Sequence, residues 1–114
     1  MDQMNIKTET IAKIEDFSVW KAYEPDEETY HVEVGQVTLH FFIEEWEEFC
    51  EFAAELVKIP LQTTGVLAET DNYDAECEEQ DGTFVYSIEM PGVLLSFFEE
   101  DWKLLIDLLK MVVK

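Results

Sequence analysis

The sequence predicts an α+β protein built by tandem duplication of a βββα unit: one antiparallel sheet of about six strands, two helices packed on one face, and a pseudo-twofold between the halves. Three observations predict it: an internal repeat, apolar residues that alternate along the chain, and a switch from that alternation to a helical period at the same place in each half. The repeat is an ungapped self-match at an offset of 56 residues. It pairs Tyr30 with Tyr86, Glu33 with Glu89, Val37 with Val93, Leu39 with Leu95, Phe41 with Phe97, Trp46 with Trp102 and Lys58 with Lys114. A self-match of this length signals repeated architecture. The expected organisation is a single domain, 1–114, made of two repeats at about 3–58 and 59–114.

The first strand of each half is read from Phe17, Val19, Lys21 and Tyr23, and again from Tyr73, Ala75 and Cys77, each set alternating with a second face. A hairpin follows. Tyr30, Val32 and Val34, then Val37, Leu39 and Phe41, flank Gly35-Gln36, which suits a two-residue turn with glycine at its first central position. The second half has Tyr86, Ile88 and Met90, then Val93, Leu95 and Phe97, around Pro91-Gly92, a pair that prefers a type II turn. Beyond each hairpin the period becomes 3.6. Trp46, Phe49, Cys50, Ala53, Leu56 and Val57 share one helical face, and glutamates cover the rest. Ser96 with Glu99 has the spacing of a capping box, and Pro60 closes the first helix. The Trp46 and Trp102 faces are expected to build a shared core, because a 56-residue unit buries too little surface alone.

Composition restricts function. The chain has 27 Asp and Glu against 7 basic residues, all lysine, for a formal net charge of -20. With no guanidinium fork and a strongly negative field, direct binding to nucleic acid or to an anionic membrane is disfavoured, whereas a basic protein partner would be attracted. Hydrophobic residues reach 47%, which argues for a folded chain despite the charge. Cys50 and Cys77 form no short motif, so free thiols and a cytoplasmic location are expected. No signal-type segment or membrane span is read.

No nucleophile-base pairing, phosphate-cradling glycine loop or cofactor motif stands out, so the expected protein is not an enzyme and carries no cofactor. The partner-binding carboxylates expected are Glu44, Glu45, Glu47, Glu48, Glu51 and Glu55 on the first helix, with Glu24, Asp26, Glu27 and Glu28 in the preceding loop. The function expected is occupation of a basic site on another protein, in the manner of a DNA mimic or an immunity-type inhibitor. The alternative is a structural or assembly subunit that homodimerises or docks through a second apolar stripe on the last helix, Leu104, Leu108 and Met111, where the first helix has Glu48, Phe52 and Glu55. Cover for that stripe is expected either from the N-terminal segment containing Ile6, Ile11 and Ile14 or from another chain.

Two further features bear on sites. If the first hairpin turns at Gly35-Gln36, His31 faces His40 across the strands on the side opposite Val32 and Leu39; two histidines without a third ligand make only a weak metal candidate, and solvated histidines are the favoured reading. The acidic run from Asp71 to Asp81 lacks the spacing of a calcium loop and reads instead as a strand edge blunted by carboxylates.

Overall fold

The computed structural model describes residues 7–113 and runs ββββα twice. The first half comprises β1 (Lys7–Ile14), β2 (Phe17–Tyr23), β3 (Glu28–Val34), β4 (Val37–Phe42) and α1 (Ile43–Leu56). The second comprises β5 (Gly65–Glu69), β6 (Asp74–Gln80), β7 (Thr83–Met90), β8 (Val93–Phe98) and α2 (Glu99–Val112). The class is α+β, but the predicted single sheet of about six strands is replaced by two four-stranded antiparallel meanders, β1-β2-β3-β4 (sheet A) and β5-β6-β7-β8 (sheet B). The strand missed in each half is the first, for a physical reason. Both β1 and β5 carry a bulge, between Thr10 and Ala12 and between Val66 and Ala68, and an extra residue reverses the inside-outside alternation that identifies a strand. The two bulges are themselves 56 residues apart, so the duplication extends to an irregularity of the backbone.

Both predicted hairpins form in register, Val34 with Val37 and Met90 with Val93. Their turns use different chemistry. Gly35 stands first in its turn at φ +65°, whereas in Pro91-Gly92 the proline leads and Gly92 follows at φ +78°. Each glycine occupies backbone space that a side chain would strain. The predicted Ser96 capping box does not form. Helix α2 begins at Glu99 with Phe98 as its N-cap, and Ser96 lies within β8. In α1 the reciprocal half of such a motif is present, the Phe42 N–H donating to Glu45 Oε1 at 2.9 Å.

Each tryptophan packs on its own sheet, not on a shared seam. Trp46 stacks on Tyr30 at 4.7 Å with ring planes 2° apart, and Trp102 repeats this on Tyr86 at 4.7 Å and 12°. Such stacks add about 0.5–1.5 kcal/mol beyond simple burial. The halves are joined elsewhere. Phe49 and Phe52 of α1 both reach Tyr73 at the head of β6, each at 5.6 Å, and α2 contacts β1 and β2 of sheet A as well as its own β7 and β8. One continuous core results, containing Val19, Val32, Phe49 and Phe52 of the first half with Ala75, Tyr86, Leu108 and Leu109 of the second. The apolar stripe of α2 is therefore covered from within the chain at its centre, Leu108, but not along its whole length. Leu108, the counterpart of Phe52, is fully buried, as Phe52 is; Leu104 is half-buried and Met111 remains exposed. Ile14 packs at the edge of this core while Ile11, at the bulge, is exposed; Ile6 lies outside the described residues.

Candidate interaction surface

Of the ten carboxylates expected to meet a partner, the fold brings several to one end of sheet A. Thr29 pairs with Phe42, which places the loop of Glu24, Asp26 and Glu27, together with Glu28, beside the start of α1, where Glu44 and Glu45 lie. Glu44, Glu47, Glu51 and Glu55 continue along the exposed flank of the helix, one per turn of ~5.4 Å. Several of the ten already have partners inside the chain. Glu28 pairs with Lys21 at 3.0 Å, and that carboxylate holds the Lys21 ammonium above its ordinary pKa. Glu55 lies 3.6 Å from Lys58, and Glu24 accepts from the Thr29 hydroxyl at 3.2 Å. Glu48 is a joint between the halves. It accepts from Thr70 Oγ1 (2.8 Å), from Asn72 Nδ2 (2.8 Å) and from the Asn72 backbone N–H (3.1 Å), and the Asn72 amide and then the Thr70 hydroxyl lower its pKa. Asp26, Glu27, Glu44, Glu47 and Glu51 take part in none of these contacts and are exposed.

Beside Glu48 the two halves meet in a cleft of about 350 Å³ lined by His40, Glu45, Glu48, Asn72, Tyr73 and Pro91 among others. A second cleft of about 220 Å³, lined by Ser96, Asp101, Asp16, Phe17 and Gly35, is its mate under the repeat, because 56 residues separate His40 from Ser96, Glu45 from Asp101, and Phe17 from Tyr73. The repeat thus makes two clefts with different linings. In the first, burial, then Glu48 and Glu45, push the Tyr73 hydroxyl up to about 12.

The histidines are cross-strand neighbours as expected, His31 opposite His40, but the reading of both as solvated fails for His31. That side chain keeps only 3% of its surface exposed. Trp20 lies flat on it at 3.9 Å and 7°, and His40 meets it edge-on at 4.0 Å. His31 Nε2 lies 3.0 Å from Thr29 Oγ1, and its Nδ1 has no hydrogen-bond partner. Burial first, then the neighbouring His40, lower the pKa of His31, with Glu24 opposing them. Among the described residues no group of three or more His, Cys, Asp or Glu is arranged to hold a metal ion.

The acidic run is not an edge. Strand β6 lies between β5 and β7, and Asp74, Glu76 and Glu78 project from its outer face while Ala75 and Cys77 enter the core. Glu69 beside Asp74 and Glu89 on its other side complete five carboxylates on the outer face of sheet B, and the register places no lysine there. Crowding by Asp74 above all, with some burial and with Glu78 and Glu89, raises the pKa of Glu76. Sequence reasoning missed this face as a surface, although the alternation of carboxylates with Ala75 and Cys77 was its visible signal.

The remaining reactive groups are muted. Burial and Glu47 push the Cys50 thiol up to about 11, which keeps it protonated at neutral pH, and Cys77 is buried. Among the described residues, no helix is long and apolar enough to cross a membrane. Comparison with protein-family models, with curated proteins and with solved structures finds no match to this chain.

Proposed function

We propose that the protein is a non-enzymatic acidic binding protein that occupies a basic site on a partner protein. The observation that carries this reading is the lack of internal neutralisation. Among the described residues only two ion pairs form, Lys21 with Glu28 and Lys58 with Glu55, while Glu44, Glu47 and Glu51 of α1 and Asp26 and Glu27 beside it stay solvated. Carboxylates left in this state repel one another and attract a cationic surface, speeding encounter with it at low salt. Literal mimicry of duplex DNA is the less favoured form. Duplex carries one charge per ~1.7 Å of axis, and a helix stripe with one carboxylate per ~5.4 Å turn has roughly a third of that density. An immunity-type inhibitor, which needs complementarity to a basic site but not to a phosphate lattice, fits the spacing better. Homodimerisation or docking through Leu104, Leu108 and Met111 is the less favoured alternative, because Leu108 is covered by the chain itself and only Met111 of the three is exposed.

The test is retention of a basic partner on immobilised protein at low and at high ionic strength, with the triple variant Glu44→Gln/Glu47→Gln/Glu51→Gln in parallel. Wild-type retention should fall steeply with salt, and the variant should retain less at every salt concentration. Equal retention by the two proteins, or retention insensitive to salt, would remove the electrostatic basis.

A further inference from the structure

The three most exposed large apolar side chains among the described residues are Phe98 (66%), Leu94 (65%) and Val66 (59%). All three belong to one surface. Leu94 and Phe98 project from β8 on the side of sheet B opposite the core, Val66 projects from β5 on that same side, and between them stand the carboxylates of β6. The strand geometry gives the surface a pattern. Asp74, Glu76 and Glu78 follow one another at ~6.8 Å along β6, and the Leu94-Phe98 edge runs parallel to them two strands away, at ~10 Å. Val85, Ser87 and Glu89 of β7 fill the space between. Phe42, the counterpart of Phe98, is also exposed, at 51%, so what is particular to sheet B is Leu94 beside it and the carboxylate array between, an apolar rim that water disfavours next to charges that repel one another.

From this we infer that the outer face of sheet B is a docking surface for a cationic segment that also carries bulky apolar side chains. Lysine or arginine heads lie over the β6 carboxylates, and leucine-sized or aromatic groups cover Leu94 and Phe98. The inference extends the proposed function by naming a second contact face, and it rests on that reading for the basic character of the partner. Charge complementarity selects the occupant. A second copy of this chain, also at -20, would set carboxylate against carboxylate across the face. The crowding that raises Glu76 is relieved by a cation and made worse by an anion. Sheet A supplies the internal control, because its matching outer positions, Thr38 and Phe42 on β4 and Trp20 on β2, stand beside only Lys13 and Glu33 as charged outer residues.

The experiment uses the full chain and two fluorescently labelled synthetic peptides of equal length, one alternating lysine with leucine or phenylalanine, the other alternating lysine with serine. Binding is followed by anisotropy at low salt for wild type, for Leu94→Ser/Phe98→Ser and for Glu76→Gln/Glu78→Gln. The inference expects the lysine-apolar peptide to bind the Leu94→Ser/Phe98→Ser protein about tenfold more weakly than wild type, while the lysine-serine peptide binds those two proteins equally. The Glu76→Gln/Glu78→Gln protein should weaken both peptides. Unchanged melting temperatures, expected because both apolar residues are exposed, tie the losses to the surface. If both peptides bind and the apolar substitutions change nothing, the docking face is wrong while binding through α1 survives. If neither peptide binds at low salt, the proposed function fails with it. A wild-type mass of two chains that falls to one in Leu94→Ser/Phe98→Ser would assign the face to a second copy and overturn the cationic occupant.

Discussion

On the outer face of sheet A the row Thr10, Trp20, His31 and His40 crosses four strands; the matching row of sheet B is Val66, Glu76, Ser87 and Ser96. The backbone register under the two rows is the same, down to the bulge beside Thr10 and Val66. The chemistry is not. In sheet A the aromatic rings cover one another, so that a histidine on the outside of a sheet is nearly as buried as the core. In sheet B short serines leave the Glu76 column open and crowded. The core-facing sides diverge far less: Tyr30 and Tyr86 each receive a tryptophan, and Phe41 and Phe97 each flank it. The duplication therefore keeps the core-facing sides nearly alike, while the outer faces and the flank of α1 are where the halves diverge.

The sharpest way to break that comparison is at the matched buried pair. Phe52→Ala is expected to lower stability by about 3–5 kcal/mol and Leu108→Ala by about 2–5 kcal/mol in denaturant titration, since both are fully buried in the continuous core. Should either cost less than about 1 kcal/mol, the halves do not share a core. Leu108→Glu should fail to fold, not merely change oligomeric mass. A smaller effect is expected at the turns. Gly92→Ala at φ +78° and Gly35→Ala at φ +65° should each lose about 1–2 kcal/mol by the same titration, despite open space around both sites.

The smallest expected effects are pH dependences that distinguish the halves. The pKa of His31 is lowered on folding, so below the ordinary imidazole value of about 6.5 the unfolded chain takes up a proton that the folded chain resists, and stability should fall as pH drops through that range. His31→Ser, which installs the residue of the second half, should flatten the thermal stability profile between pH 7 and about pH 5. Glu48 works lower down. Its carboxylate is stabilised by Asn72 and Thr70, so its contribution is present above about pH 4.5 and is lost as pH falls below it. Glu48→Gln should be less stable than wild type at neutral pH, with a shallower acid limb. A parallel acid limb would mean that Glu48 does not hold the 70–73 loop.

Much of the fold was legible, because one-sided burial gives strands and helices a period that the sequence must obey. Strands β3, β4, β7 and β8, both helices and the His31-His40 register follow from it. The first strand of each half was not legible, since a bulge erases the period within so short an element. Neither was the division into two sheets. Nothing in the alternation of β4 or β8 says whether its outer edge pairs with a further strand. The candidate site was legible in composition but not in placement. Spacing put Glu48 with the other α1 carboxylates, whereas its role at the junction depends on Thr70 and Asn72, 22 and 24 residues away. Likewise, Asp74 and Glu76 read as an edge because the β5 strand that covers them was missing from the pattern. Leu94 and Phe98 looked like ordinary alternation until their exposure was known.

The most direct test of the central claim is an amide chemical-shift titration of the isotope-labelled protein with a lysine-rich polycation at low salt. The predicted result is a set of shifts confined to the α1 flank around Glu44, Glu47 and Glu51, to the loop around Asp26 and Glu27, and to the outer positions of β6 and β7, all reversed by added salt. Shifts spread evenly over both sheets, including the Trp20-His31 face, or no shifts at all, would contradict it.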